Sequence, residues 1–173
     1  MKTKGIIMVV AATLLLSGIV YGCGLPSGMV KPTVSYVPED WYCSADEPYG
    51  TYEEFDGIKA GLIGYTDTVD GDFFMIFYGD VFPELEGKEN DPDALIAKAT
   101  REAGTFEPTE NGTMTVAGEP AGWVKGYDPE LDWHEMEIVF VKGSTCVDIY
   151  TLYESTSEDE VMSLIASIYL PAQ

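Results

Sequence analysis

The residues able to carry covalent or acid-base chemistry are few, because the chain of 173 residues has three cysteines and one histidine. Nucleophilic catalysis by serine, cysteine or threonine usually needs a base beside the nucleophile. His134 is the only histidine, and strand alternation would place it on one face with Met136 and Ile138. We interpret His134 as a partly buried sheet histidine, with a ligand or general base as the alternative.

The sequence lacks the motifs of several common enzyme sites. It contains no Gly-x-Ser-x-Gly, no Gly-x-Gly-x-x-Gly, no phosphate-binding loop and no His-Glu-x-x-His. Cys43 and Cys146 are isolated and lack the paired spacing of a zinc site. We therefore predict no catalytic residue, no metal ligand and no cofactor, and we expect a protein that is not an enzyme.

Carboxylates are abundant, with 30 Asp and Glu against 9 Lys and Arg. Two acidic clusters have the ligand type that calcium prefers, although neither has the spacing of an EF-hand loop. They are Asp67, Asp70 and Asp72, and then Glu84, Glu86, Glu89, Asp91 and Asp93. We favour a solvated surface for both, with a calcium site as the alternative. A hydrolase that uses a pair of acids is a further alternative.

Aromatic side chains and one glycosylation sequon are further candidates for binding or modification. The aromatic residues are Trp41, Trp123, Trp133, Tyr42, Tyr49, Tyr52 and Tyr127. They are more typical of a core than of a sugar or peptide groove. Asn111-Gly112-Thr113 matches the acceptor for N-glycosylation, and Asn-Gly is equally typical of a turn.

The first 23 residues have the pattern of an export signal. Lys2 and Lys4 precede an uncharged, apolar run over residues 5 to 20. The following Val20-Tyr21-Gly22-Cys23 resembles the lipobox of prokaryotic lipoproteins. The resemblance implies a signal peptide over residues 1 to 22, lipid attachment at Cys23 and a membrane-anchored protein that faces outside the cytoplasm. Simple secretion and an uncleaved membrane span are the alternatives.

The other two cysteines fit this location. Outside the cytoplasm disulfides persist, and acylation of Cys23 would leave Cys43 and Cys146 as an even pair. We predict a disulfide between them, with two separate thiols as the alternative.

Charge and composition limit the partners. A formal net charge of -21 makes nucleic acid a poor partner, because the surface would repel phosphates. The same charge favours a soluble, monomeric domain. With 46% apolar and 12% aromatic residues, the chain has enough material for one core. We predict a lipid-anchored tether over residues 23 to 32 and a single domain over residues 33 to 173.

Several elements follow from local patterns. An Asp-Gly turn near residues 69 to 72 predicts a hairpin of strands 60 to 66 and 73 to 78, the second interior to the sheet. Strands are also predicted over 33 to 41, 113 to 117, 121 to 127, 133 to 142 and 145 to 153, with turns at 48 to 50, 111 to 112 and 142 to 144. A capped helix is predicted over 92 to 103, and the capping box at Ser157 and Glu160 begins a closing helix.

This order of elements predicts an α+β domain, an antiparallel β-sheet flanked by helices. It resembles the PsbP-like fold, shared by an extrinsic photosystem II subunit and several prokaryotic lipoproteins. The similar features are Val37-Pro38-Glu39-Asp40-Trp41, Gly118-Glu119-Pro120-Ala121-Gly122, the long hairpin 133 to 153 and the final helix. The resemblance implies an α/β/α sandwich that serves binding or assembly with a protein partner outside the cytoplasm. A hydrolase and a divalent-cation or solute-binding module are the alternatives.

Overall fold

The structure is a computed structural model that describes residues 25–51, 59–67, 71–103, 106–129 and 132–171. Its strands are β1 (Thr33–Val34), β2 (Trp41–Thr51), β3 (Lys59–Asp67), β4 (Phe73–Gly79), β5 (Glu110–Val116), β6 (Glu119–Asp128), β7 (Trp133–Lys142), β8 (Thr145–Tyr153) and β9 (Ile168–Tyr169). Its helices are α1 (Pro92–Glu102) and α2 (Glu158–Ala166), and a 3-10 turn covers Pro83–Leu85. Cys23, Tyr52 and Asp70 lie outside the described residues.

Seven strands form one antiparallel sheet in the order β2-β3-β4-β8-β7-β6-β5. The short strands β1 and β9 pair separately. This arrangement confirms the α+β class, the β3–β4 hairpin and the interior position of β4, which lies between β3 and β8. Both helices begin as predicted, α1 at the Asp91 cap and α2 at a capping box made by Ser157 and Glu160.

The two faces of the sheet carry separate cores. Alternate residues of each strand point to opposite faces, so neighbours such as Ile138 and Val139 enter different cores. The larger core contains Ile138 with Val161, Leu164 and Ile165 of α2. The smaller core packs side chains of α1, including Leu95, against β6 and β7.

Gly122 lets α1 lie close to the sheet. A Cβ atom at this position of β6 would come 2.4 Å from the backbone nitrogen of Ile96 and 2.8 Å from Cβ of Leu95. No real side chain fits at those distances, so glycine is required where the helix backbone crosses β6. The position of α1 over β5, β6 and β7 therefore depends on this one glycine.

The first long strand differs from the prediction. Strand β1 has two residues, and β2 continues through residues 48 to 50, where a turn was predicted. The register between β2 and β3 shifts between Glu47 and Gly50, and this irregularity accommodates Pro48. Because β2 is an edge strand, a proline that lacks an N–H group is tolerated there.

The hairpin of β5 and β6 also turns at a different place than predicted. Asn111 and Gly112 lie inside β5, and the turn is at Ala117 and Gly118, whose φ angles are 53° and 84°. Positive φ at both central residues is typical of a tight type I′ hairpin turn. Gly112 pairs with Trp123, whose indole ring packs over it. A cross-strand aromatic ring that covers an edge glycine explains why the Asn-Gly signal failed.

Residues 29 to 32, predicted to belong to a tether over residues 23 to 32, pack on the domain. Met29 is buried, with 6% of its surface exposed, and Pro32 is also buried. The backbone N–H of Val30 donates to Oγ1 of Thr145, over 2.9 Å, at the start of β8. The domain therefore includes residues 29 to 32. Among the described residues, no helix is long and apolar enough to cross a membrane.

The predicted disulfide between Cys43 and Cys146 is wrong. Both are free cysteines, Cys43 exposed on β2 and Cys146 buried on β8. Strands β3 and β4 lie between them, so the two cysteine backbones are at least about 14 Å apart at the usual strand spacing. A disulfide needs Cα atoms within roughly 7 Å.

We expect the two thiols to react differently with a maleimide. In the Cys23→Ser variant, the folded protein should take up one label, at Cys43, because burial raises the pKa of Cys146 to about 12. Unfolding in guanidinium chloride without reductant should add a second label. The Cys43→Ser variant in the same background should take up none until it unfolds. A mass that shows no label on the unfolded, unreduced chain would contradict the separation of the two cysteines.

Candidate functional site

A cavity of about 610 Å³ lies on the face of the sheet that α1 covers in part. Its floor is formed by β3, β4, β7 and β8, and its wall by residues 80 to 83 and the end of α1. The lining residues share a mainly apolar character with a few acids, and they include Leu62, Met75, Phe77, Phe82, Glu102, Glu137, Cys146, Asp148 and Tyr150.

The alternation of the strands brings these side chains together. Asp148 of β8 pairs with Phe77 of β4, which pairs with Leu62 of β3. Glu137 of β7 pairs with Tyr150 of β8. These residues therefore share one face, beside the strands that α1 covers.

A pair of acids, Glu137 and Asp148, lies in this cavity. Glu137 is only 4% exposed, and its side chain is hydrogen-bonded to Asp148. Burial, followed by the charge of Asp148, strongly raises the pKa of Glu137. Burial also raises the pKa of Asp148 to about 6, although the hydrogen bond from Glu137 and the charge of Lys98 lower it. At neutral pH Glu137 therefore keeps its proton and donates it to an ionised Asp148.

Asp148 keeps unused capacity to accept hydrogen bonds. Its Oδ1 atom is buried and has no hydrogen-bond partner among the described residues. A buried oxygen without a partner is expensive in a folded protein. The partly exposed remainder of the Asp148 side chain is what lines the cavity.

Lys98 is the buried cation nearest to the acid pair, and it is already neutralised. Its Nζ contacts Glu102 of the same helix and lies 3.5 Å from Oε1 of Glu84. It also lies 3.3 Å from the centre of the Phe82 ring. Arg101 reaches the same Glu84 oxygen over 2.9 Å. Two acids and two bases thus form one network at the wall of the cavity.

A third acid on this face, Glu135, is hydrogen-bonded to a tyrosine. Glu135 is 5% exposed and accepts a hydrogen bond of 2.6 Å from the hydroxyl of Tyr150. Since Tyr150 also lines the cavity, this bond fixes the position of its ring.

The first predicted calcium cluster has a structural role instead. Asp72 is fully buried, and its carboxylate accepts from the backbone N–H groups of Glu154, Ser155 and Thr156 and from the Ser155 hydroxyl, at 2.7 to 3.2 Å. Asp67 is also buried and accepts from the N–H of Gly71 at 2.7 Å. Asp72 therefore joins the β3–β4 hairpin to the loop before α2, and its oxygens are occupied.

The second predicted cluster is also divided among local contacts. Asp91 caps α1, Glu84 belongs to the lysine network, and Glu89 accepts from the backbone N–H of Gly87. Glu86 and Asp93 are exposed. Within the described ranges, no group of three or more His, Cys, Asp or Glu is placed to hold a metal ion.

The predicted sheet histidine is confirmed, and most of the tryptophan surface is in the core. The partly buried His134 lies between Tyr127 and Tyr153, with ring centres 4.9 and 5.4 Å away. Trp41 and Trp133 are buried, and Trp123 packs against the larger core. Tyr42 and Tyr127 are exposed, whereas the buried Tyr49 donates its hydroxyl to Asp80. These aromatic residues therefore do not line a common groove.

Sequence reasoning missed the acid pair. Glu137 belongs to a strand that reads as apolar, Trp133–Lys142, and Asp148 interrupts an equally apolar β8. An acid within an interior strand is rare unless it is paired, so this position was the available signal. The prediction considered acids only where they cluster along the chain.

We expect the Glu137→Gln substitution to stabilise the protein at neutral pH. The folded protein holds the Glu137 proton while the unfolded chain releases it above about pH 4.5, so wild-type stability falls as the pH rises. The introduced glutamine keeps an N–H donor toward Asp148 but releases no proton. The gain in unfolding free energy should be about 3 kcal/mol at pH 7 and near zero at pH 4.

Urea unfolding between pH 4 and pH 8 measures this gain. The exposed Glu39→Gln variant is the control and should stay within about 0.5 kcal/mol of wild type at each pH. An equal loss of stability at pH 4 and pH 7 in Glu137→Gln would show that Glu137 is ionised in the folded protein.

The fold is similar to that of a solved structure from Bacteroides thetaiotaomicron VPI-5482. The TM-score is 0.51 with 11% sequence identity, and the match covers 83% of this chain and 49% of the other. This chain therefore spans about half the length of that neighbour. No family model and no curated protein matches the sequence. At this identity the likeness extends to the fold alone.

Proposed function

We propose that this protein is an exported, lipid-anchored binding domain that holds a small, mainly apolar molecule in the cavity beside α1. The observation that carries the proposal is the cavity itself, a concave site of about 610 Å³ with an acid pair among apolar and aromatic side chains. Binding sites for small molecules have this size and composition. The proposed role is non-catalytic, as a binding or assembly accessory of PsbP-like type.

The proposed location depends on the sequence of the first 23 residues. Lys2, Lys4 and the apolar run support export, and Val20-Tyr21-Gly22-Cys23 supports acylation of Cys23. Two or more acyl chains on one residue give stable attachment to a membrane. The acidic surface favours a partner or ligand that is not itself anionic.

A hydrolase that uses the pair Glu137 and Asp148 is a second candidate. One carboxyl group that keeps its proton beside one that ionises is the arrangement of many acid-base pairs. The burial of Glu137 argues for binding, because a general acid must reach the leaving atom of its substrate. Turnover of a substrate that is lost in both Glu137→Gln and Asp148→Asn would favour the hydrolase.

We expect a bulky residue at position 75 to close the cavity. Met75 of β4 lines it and is partly buried, so Met75→Trp should fill the space and lower the affinity for a neutral fluorescent dye such as Nile red at least tenfold. Dye titration of residues 25 to 173 measures this affinity. Met162→Trp is the matched control, since Met162 is partly buried on α2 at the opposite face. Equal dye affinity in both variants would contradict binding in the cavity.

When the wild-type chain is expressed in a bacterium, we expect it to incorporate labelled palmitate and to need detergent for release from membranes. The Cys23→Ser variant should incorporate none, because serine lacks the thiol that takes the lipid. Unchanged labelling in this variant would overturn acylation at residue 23.

A further inference from the structure

Two acids in the lining, Asp80 and Asp148, have no ion pair among the described residues, and Asp80 accepts from the Tyr49 hydroxyl. Lys98 and Arg101 form ion pairs with Glu84 and Glu102. Glu137 keeps its proton, so the net charge that remains in the lining of β7 and β8 is that of Asp148. Lys59 is exposed at the edge of the cavity, on β3, two strands away from β8.

The geometry of Asp148 directs this charge toward a ligand. Its strand, β8, is interior to the sheet, yet the side chain is only partly buried because it lines the cavity. Its Oδ1 atom is closed off from solvent, so the charge meets the cavity through the exposed part of the carboxylate. A buried or half-buried carboxylate is strongly stabilised by a charged donor, which gives shorter and stronger hydrogen bonds than a neutral one.

The remaining walls suit the body of an organic cation. Leu62, Met75 and Phe77 give an apolar floor, and Phe82 and Tyr150 give aromatic rings. Aromatic faces attract an ammonium group within about 6 Å. The chain itself shows this combination next to the cavity, where the Lys98 ammonium lies over the Phe82 ring and contacts Glu102.

We propose that the cavity binds an amine with an apolar body, and that the protonated amine pairs with the carboxylate of Asp148. This inference rests on the proposed binding function and names its ligand class. An anionic ligand would meet the uncompensated charge of Asp148 in a poorly solvated site, which is unfavourable. A free metal ion would lack ligands, because no group of three or more His, Cys, Asp or Glu among the described residues is placed to hold one.

The proposal implies a dependence on pH. The titratable or charged groups around Asp148 and in the same lining are Glu137 on β7, Lys98 and Glu102 on α1, Cys146 and Tyr150 on its own strand, Lys59 on β3 and Asp80 after β4. Protonation of Asp148 removes the charge that pairs with the amine. Affinity for the amine should therefore fall as the pH drops below about 6, the pKa of Asp148.

Three probes with one body and different head groups test the proposal. Tryptamine is cationic, tryptophol is neutral and indole-3-acetate is anionic at pH 7.5. Calorimetric titration of the full chain in lipid nanodiscs should give tryptamine an affinity at least tenfold above that of tryptophol. Indole-3-acetate should bind most weakly. Nanodiscs that carry Met75→Trp measure the binding that arises from lipid alone.

The variant Asp148→Asn identifies the recognition group. It should lower the affinity for tryptamine at least tenfold and change that for tryptophol by less than about threefold, so tryptophol binding also shows that the variant is folded. Asp40→Asn is the matched control for net charge, because Asp40 is exposed and lies before β2, at the other end of the sheet from Lys59. It should leave all three affinities unchanged.

The outcomes separate this proposal from the binding function. Equal affinities for tryptamine and tryptophol, both lost in Met75→Trp, would overturn the amine preference and leave the binding function intact. A preference for indole-3-acetate would overturn it as well and would assign recognition to Lys59, the lysine in the lining. Binding of no probe above the nanodisc background would overturn both. Tryptamine affinity that is unchanged in Asp148→Asn would overturn the assignment to Asp148.

Discussion

Helix α1 covers only part of one face of the sheet, and the position of the cavity and of its acids depends on this. Seven antiparallel strands make a sheet roughly 29 Å wide, while a helix with its side chains is about 10 Å across. On one face α1 packs over β5, β6 and β7, with its backbone held close by Gly122. The cavity lies over the neighbouring strands, and the acids that α1 does not cover line it. The place of the cavity thus follows from the place of one helix.

The same constraint accounts for the buried charges. A β-strand with an apolar core on both faces rarely contains acids. Glu135, Glu137 and Asp148 nevertheless all point to the α1 face. Each is accommodated by a different partner: a tyrosine hydroxyl for Glu135, and a shared proton between Glu137 and Asp148. Burying an acid pair is destabilising compared with an apolar core of similar shape. Retention of such a pair is more typical of a site than of a scaffold.

Local sequence signals predicted most of the fold but not the site. The caps of Asp91 and Ser157 lie within a few residues of the groups they bind, so both helix starts were visible in the sequence. The Asn111-Gly112 turn and the Cys43–Cys146 disulfide failed because cross-strand packing and sheet order decide them. The acid pair could not be predicted for the same reason, since Glu137 and Asp148 meet only when β7 and β8 pair. Pairing of distant residues cannot be read from their spacing along the chain.

The attachment of residues 29 to 32 would restrict the orientation of a domain that is anchored at Cys23. The Val30 N–H bond to Thr145 holds this segment at the turn between β7 and β8. Met29 is six residues after Cys23, and this stretch spans at most about 20 Å even when fully extended. A lipid on Cys23 would therefore hold that turn near the bilayer and limit the rotation of the whole body. Molecules from the surrounding fluid would then approach the sheet from the far end or from its sides.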